Sequence, residues 1–189
     1  MTGVTTLTRE LGPKRLELFR DLIPSLKRVL YLYDANDSPS MTMGQVYRDA
    51  ARRLGMVLVE TPVRTAAEAQ AMLAHVRKGE VDGILRPPSV SFDIPGLLLK
   101  TASERGIPAM FESEFFVERG VLAGYGSNSF EAGRQAARLV EKIMKGANPA
   151  DIPVETNSKI EFIINLKTAK ALGLTIAPEV LFQATQVIR

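Results

Sequence analysis

With 189 residues, 46% of them hydrophobic and 24% charged, the chain suits one or two globular domains and has no apolar run near the roughly 18 residues of a membrane-spanning helix. The absence of cysteine excludes disulfides, thiolate zinc sites and thiol nucleophiles. The net charge is only +3, and the interleaving of basic and acidic residues in KRLELFRD and RLVEKIMK indicates a mixed-charge surface and no nucleic-acid partner.

Short apolar runs alternate along the chain with segments in which apolar residues recur at helical spacing. Helix starts are marked by Pro13 in a first turn, by Ser40 as an N-cap and by Thr65, which forms a capping box with Glu68. In chain order the sequence predicts helices over 12–22, 40–55, 65–79, 93–106 and 129–145, and strands over 28–34, 56–60, 81–86, 107–111 and 121–127.

The predicted strands are almost continuously apolar, which is typical of a parallel sheet covered by helices on both faces. The predicted fold is therefore a doubly wound α/β fold. The helix that begins near Thr65 is expected to bury Met72, and the helix over 129–145 carries an apolar stripe. Beyond a Pro-rich link, residues 159–176 predict a strand, a short helix and a turn, and 178–188 form a weak last element.

Polar residues follow the predicted strands, in the loops over 34–40, 86–91, 112–114 and 125–129. In an open parallel sheet, ligands bind outside the carboxyl ends of the strands, and helix N-termini at these loops favour anions. The sequence therefore predicts a site for a small polar or anionic ligand. The candidate ligand-binding residues are Asn36, Ser40, Arg86, Ser89, Ser113, Tyr125 and Asn128.

Each candidate also has a structural interpretation. Ser40 and Asn128 are good N-caps, and Ser89 suits a turn. Arg86 is either a clamp for a carboxylate or an exposed charge at a strand end. Tyr125 either stacks on a ligand or shields the edge of the core.

Catalytic patterns are sparse. His75, the only histidine, lies in a predicted helix far from the strand-end loops, so neither a Ser–His–Asp triad nor a histidine metal cluster is predicted. Asp34, Asp37, Glu112 and Glu114 could hold Mg²⁺, but no phosphate-binding loop accompanies them, which favours surface acids. The sequence predicts no catalytic residue, metal or cofactor.

One glycine pattern offers an alternative. Gly124-x-Gly126-x-x-Ser129, between a strand and a helix, approaches a dinucleotide-binding fingerprint. No acidic residue closes a second strand about 20 positions later, because the chain is still helical there. An NAD-dependent enzyme is therefore a minor alternative.

Three segments carry a resemblance to a known family: residues 3–34, residues 116–155 with LAGYGSNSFEAGRQAA, and residues 160–176 with INLKTAKALGLTI. They resemble ABC-transporter substrate-binding proteins related to tryptophan and tyrosine binders. The resemblance implies a type I periplasmic-binding-protein fold, in which two α/β lobes joined by crossing strands close on a ligand. It also implies a non-catalytic, periplasmic protein that works with ABC permease subunits. Its matching ligand contacts are Asn36, Ser40, Ser89, Ser113 and Asn128.

Family members carry a signal peptide and most of a first lobe before the matching segment. By resemblance, the chain is expected to be a C-terminal portion, with a complete α/β lobe over 2–121. A strand and helix of the other lobe would follow over 122–154, and a C-terminal crossing segment over 155–189. Open strand edges would then favour self-association. An effector-sensing domain of a transcription regulator could share this fold, but no helix-turn-helix is present.

Overall fold

The computed structural model describes residues 1–189, which form nine strands and eight α-helices. The strands are β1 (Val4–Thr6), β2 (Arg28–Asp34), β3 (Val57–Val63), β4 (Gly83–Leu85), β5 (Ala109–Phe111), β6 (Ala123–Ser127), β7 (Glu155–Asn157), β8 (Ile160–Asn165) and β9 (Gln186–Ile188). The helices are α1 (Gly12–Leu22), α2 (Ser38–Arg53), α3 (Ala66–His75), α4 (Ile94–Arg105), α5 (Glu114–Val117), α6 (Ser129–Met144), α7 (Leu166–Ala171) and α8 (Pro178–Gln183).

Capping side chains set several helix starts. Thr65 caps α3 as predicted, because its Oγ1 accepts from the backbone N–H of Glu68 at 3.1 Å. The prediction that Ser40 caps α2 is wrong. Asp37 is the cap, since its carboxylate accepts from the backbone N–H of Ser40 at 2.8 Å, and Ser40 lies inside the first turn.

The main sheet has seven strands in the order β3-β2-β4-β5-β6-β8-β9, all parallel except the antiparallel pair β6–β8. One face packs on α1, α2, α7 and α8, and the other packs on α3 and α4. Within β2, Tyr31 belongs to the first of these cores, and its neighbours Leu30 and Leu32 belong to the second. The doubly wound α/β prediction is confirmed.

A small second unit stands beside the main sheet. Strands β1 and β7 pair in parallel as a separate two-stranded sheet, and α6 packs on both. The chain passes between the two units three times, after β1, between β6 and α6, and between β7 and β8.

The sheet pairing differs from the predicted domain boundaries. Strand β6 continues the main sheet because Met110 and Phe111 of β5 pair with Ala123 and Gly124. Strands β8 and β9 extend the same sheet, whereas the resemblance implied that β6 belongs to the other lobe and that β8 and β9 form a crossing segment. Only β1, α6 and β7 lie outside the main unit.

Helix α6 is the least buried long helix. Leu139 is its only buried residue, while Phe130, Val140 and Met144 of its apolar stripe are 75%, 54% and 83% exposed. Met72 of α3, predicted to be buried, is 49% exposed because α3 buries only Ala69 and Leu73. None of the helices is both long and apolar enough to cross a membrane.

Candidate functional site

The strand order of the main sheet reverses between β2 and β4, and polar loops follow the carboxyl ends of β4, β5 and β6. A cavity of about 280 Å³ lies at this edge, between the main sheet and the segment after β1. It is lined by Thr6, Thr8, Arg15, Arg86, Glu112, Ser113, Phe116, Gly126, Ser127 and Ser129. A cavity of about 220 Å³ shares Glu112, Ser113, Gly126, Ser127 and Ser129 with it and is also lined by Asn128 and Glu161.

Arg86 is a buried cation at the end of β4, with 8% of its surface exposed. It forms an ion pair with Glu112, and its guanidinium lies 5.1 Å from the ring centroid of Phe116. Its Nε has no hydrogen-bond partner. Burial, and then repulsion from Arg15, lowers the pKa of Arg86 to about 10, so it remains protonated at neutral pH. The interpretation of Arg86 as an exposed strand-end charge is therefore wrong.

Arg15 on α1 is the functional candidate that the sequence analysis missed. It is 2% exposed, and it donates from Nε to the carbonyl of Tyr125 at 2.7 Å and from Nη1 to the hydroxyl of Tyr47 at 2.6 Å. Its Nη2 has no partner. Its position in the sequence could have indicated that it is buried. Arg15 lies four and seven positions before Phe19 and Leu22, and so on the apolar stripe of α1.

Strand β6 runs close beneath the loop after β5. A Cβ at Gly126 would lie 2.2 Å from the carbonyl oxygen of Glu112, and one at Gly124 would lie 2.8 Å from Val117. Packing therefore accounts for both glycines of the fingerprint-like pattern. The next residue, Ser127, has a buried Oγ with no hydrogen-bond partner.

Ser113 and Asn128 line the cavities and also cap helices. The Oγ of Ser113 accepts from the backbone N–H of Phe115 at 3.3 Å. The Oδ1 of Asn128 accepts from the backbone N–H of Glu131 at 2.6 Å, and its Nδ2 donates to Glu161 at 2.6 Å. The cap at Asn128 was one of the two interpretations that the sequence offered, whereas the cap at Ser113 was not predicted. Their contact with a ligand stays a prediction.

The remaining candidates do not line either cavity. Asn36 is exposed in the loop after β2. Ser40 has 0% of its surface exposed, and its Oγ accepts from the backbone N–H of Ser89 at 3.4 Å. Ser40 therefore fixes the turn at Ser89 and borders neither cavity.

The ring of Tyr125 packs in the core, 6.2 Å from the ring centroid of Phe162, so it shields the core and does not face the cavity.

Burial raises the pKa of Tyr31 far above its ordinary value, and its hydroxyl donates to the carbonyl of Ser40 at 2.8 Å. His75 is exposed and bonds through Nδ1 to the carbonyl of Ala71 at 2.7 Å. The acidic residues of the sheet edge form no group suited to a metal ion.

Known proteins of similar sequence and structure include two whose names state an amino-acid ligand. A tyrosine-binding protein of Clostridioides difficile strain R20291 is 29% identical over 163 residues, covering 85% of this chain and 47% of that protein. A conserved domain protein from Vibrio cholerae O1 biovar El Tor is 26% identical, with a TM-score of 0.83 over 98% of this chain and 62% of that one. An ABC domain from Streptococcus pneumoniae in complex with L-Trp is 25% identical, with a TM-score of 0.78 over 99% of this chain and 64% of that one.

The chain thus spans about half the length of the curated relative and less than two thirds of both solved structures. The family model described as ABC transporter substrate binding protein matches residues 1–188, which is almost the whole chain. This is a family of binding proteins and not of enzymes, as the three resembling segments implied. The chain belongs to the ABC transporter substrate-binding protein family.

Proposed function

We propose that the chain is part of the solute-binding component of an ABC importer and holds an amino acid in the cleft between two lobes. The observation that carries the proposal is the cavity of about 280 Å³, which lies at the edge where parallel sheets bind ligands and is also lined by Thr6 and Ser129 of the small unit. Its place next to the chain crossings suits a ligand that both units contact. The relatives named for tyrosine binding and for a complex with L-Trp favour an amino acid with an aromatic side chain.

The small unit is proposed to be a portion of the second lobe. Strands β1 and β7 form a sheet of only two strands, and α6 leaves most of its apolar stripe exposed. Both features suit further polypeptide packed on this unit. The main unit, with all seven strands of the larger sheet, is proposed to be the other lobe.

The family supports a periplasmic location and ABC permease subunits as partners. Cell fractionation followed by immunoblotting with an antibody against this chain tests the location. We expect the antigen in the periplasmic or membrane-anchored fraction. An antigen confined to the cytoplasm would contradict the transport function.

Calorimetric titration of the protein with a panel of amino acids and neutral sugars tests the ligand class. We expect heat of binding with an aromatic amino acid such as L-tyrosine or L-tryptophan, and none with L-arabinose or D-glucose. Binding of a sugar without any amino acid would overturn the proposal. Arg48→Gln is the control variant and should bind the ligand as the wild-type protein does. Arg48 forms an ion pair with Glu60 on the exposed face of α2.

A further inference from the structure

Three buried polar atoms that lack hydrogen-bond partners belong to residues around one cavity. They are Nη2 of Arg15, Nε of Arg86 and Oγ of Ser127, and all three residues line the cavity of about 280 Å³. The only other such atom in the chain is Oε1 of Gln135 on α6. An unpaired buried polar group costs free energy. The clustering of three such atoms at one cavity therefore indicates that a bound group supplies the missing hydrogen-bond partners.

The charges around the cavity indicate the sign of that group. Arg86 has Glu112 as its counter-charge, whereas Arg15 donates only to the uncharged oxygens of Tyr47 and Tyr125. None of the ion pairs of the chain includes Arg15. Of the two buried guanidinium groups, only that of Arg86 is therefore paired with a carboxylate, and the positive charge of Arg15 has no ion-pair partner. A buried charge of this kind is normally paired.

We propose that Arg15, Arg86 and Ser127 form a subsite that holds the carboxylate group of the ligand. The inference deepens the proposed function and rests on it, because it assigns one end of the amino acid to named residues. A carboxylate is a monoanion, which matches the single uncompensated charge, whereas a phosphate dianion would exceed it. Its two oxygens accept from guanidinium N–H groups, and the hydroxyl of Ser127 can donate to either oxygen.

The two arginines are held in place before a ligand arrives. Arg15 is fixed by Tyr47 and by the backbone of Tyr125, and Arg86 by Glu112 and by the ring of Phe116. The ligand therefore does not have to order two long side chains, each of which would otherwise lose rotamer freedom on binding. The repulsion between the two guanidinium groups, which contributes to the lowered pKa of Arg86, is relieved by an anion at this site.

Calorimetry with three related probes tests the subsite. L-Tryptophan has a carboxylate and an ammonium group, 3-indolepropionate has the carboxylate alone, and tryptamine has the ammonium group alone. We expect both carboxylates to bind at least about tenfold more tightly than tryptamine. Tryptamine that binds as tightly as L-tryptophan overturns the subsite and leaves the proposed function standing.

Variants separate a ligand contact from a folding role. Ser127→Ala is the main variant, because Ser127 Oγ has no partner in the protein and its loss should leave the thermal midpoint unchanged. We expect Ser127→Ala to lower the affinity for 3-indolepropionate about threefold or more and to leave the affinity for tryptamine unchanged. Arg15→Gln should lower the affinity for 3-indolepropionate at least about tenfold. Circular dichroism checks that this variant is folded. Unchanged carboxylate affinity in a folded Arg15→Gln or Ser127→Ala protein overturns the assignment.

Thermal unfolding in acetate and in chloride, at equal ionic strength, keeps the subsite testable if no amino acid binds. If acetate raises the unfolding midpoint of the wild-type protein by more than it raises that of Ser127→Ala, the subsite is supported. The proposed function nevertheless fails in that case, because no amino acid binds. Equal midpoints in the two salts, together with no binding of carboxylate probes, overturn both proposals.

Discussion

The side-chain amide of Asn128 donates to Oε1 of Glu161 at 2.6 Å, which ties the start of α6 to β8. The same residue caps α6 through its Oδ1, and its carbonyl accepts from Nδ2 of Asn157 at 2.7 Å. Asn128 thus joins the main sheet to the small unit at a point where the chain crosses between them. A residue predicted as a ligand contact therefore has a structural role at the crossing.

Asn128→Asp should lower the free energy of unfolding by about 1–3 kcal/mol at neutral pH. The new carboxylate can still cap α6, but it loses the amide donor and faces the carboxylate of Glu161. Chemical denaturation measures the loss. Glu161→Gln in the same chain should restore most of it, because the glutamine amide can donate to the aspartate. Equal stability of the single and double variants would contradict this account.

Gly126→Ala should lower the free energy of unfolding by about 1–3 kcal/mol, because the added Cβ overlaps a backbone atom. That Cβ would lie 2.2 Å from the carbonyl oxygen of Glu112, and the loop after β5 must shift to relieve the contact. The shift moves Glu112 relative to Arg86, so ligand affinity should also fall. Denaturation and calorimetry measure the two effects.

Gly133→Ala in α6 is the matched control for Gly126. Nothing lies within 4 Å of a Cβ at Gly133, and alanine favours the helix by up to about 1 kcal/mol. We expect this variant to be at least as stable as the wild-type protein. A loss of stability at Gly133 equal to that at Gly126 would contradict the packing argument.

The sequence predicted elements best where one local signal was unopposed. Helix α1 and strand β2 have the predicted bounds, because Pro13 sets the helix start and an unbroken apolar run sets the strand. The start of α2 was misjudged because Asp37 and Ser40 are both good caps, and sequence alone does not say which one adopts the extended conformation.

The cavity of about 280 Å³ lies at the sheet edge where the sequence predicted a ligand, but only part of its lining consists of predicted residues. Arg86 and Ser113 line the cavity because strand ends position them directly. Arg15 could not be placed there from its own neighbours, because its contacts with Tyr47 and Tyr125 lie 32 and 110 residues away in sequence. Both interpretations of Tyr125 were open because strand alternation does not say which face of the sheet its ring occupies.

The isolated chain should self-associate through α6. Phe130 and Met144 are 75% and 83% exposed on one helix, and burying two such side chains stabilises a complex by about 1.5–3 kcal/mol each. Sedimentation velocity should show association that increases with concentration. The double variant Phe130→Gln, Met144→Gln should lower the association constant at least about tenfold.

Phe182→Gln is the control for the α6 variant. Phe182 is 92% exposed as well, but it lies on α8, outside the small unit. Its replacement should leave self-association unchanged. A wild-type chain that stays monomeric at high concentration would contradict the role of α6, as would equal effects of the two variants.

The affinity for a carboxylate ligand should be constant near neutral pH and fall above about pH 10. Burial and repulsion from Arg15 lower the pKa of Arg86 to about 10, and only the protonated guanidinium attracts an anion. The affinity should therefore fall about twofold when pH equals this pKa and about tenfold one unit higher. Arg15, Tyr47, Tyr31 and Glu112 are the other titratable groups that act on Arg86, and Glu112 pairs with it directly. The probe is 3-indolepropionate, since it has no ammonium group that titrates in this range.

Arg86→Gln distinguishes this titration from general alkaline effects. The variant should bind the probe more weakly at neutral pH, and its remaining affinity should not change near pH 10, because no proton is left to lose at that position. Circular dichroism at each pH confirms that the protein is folded where affinity is measured. The same alkaline fall in Arg86→Gln, or a fall centred below about pH 8, would show that another group controls binding of the carboxylate.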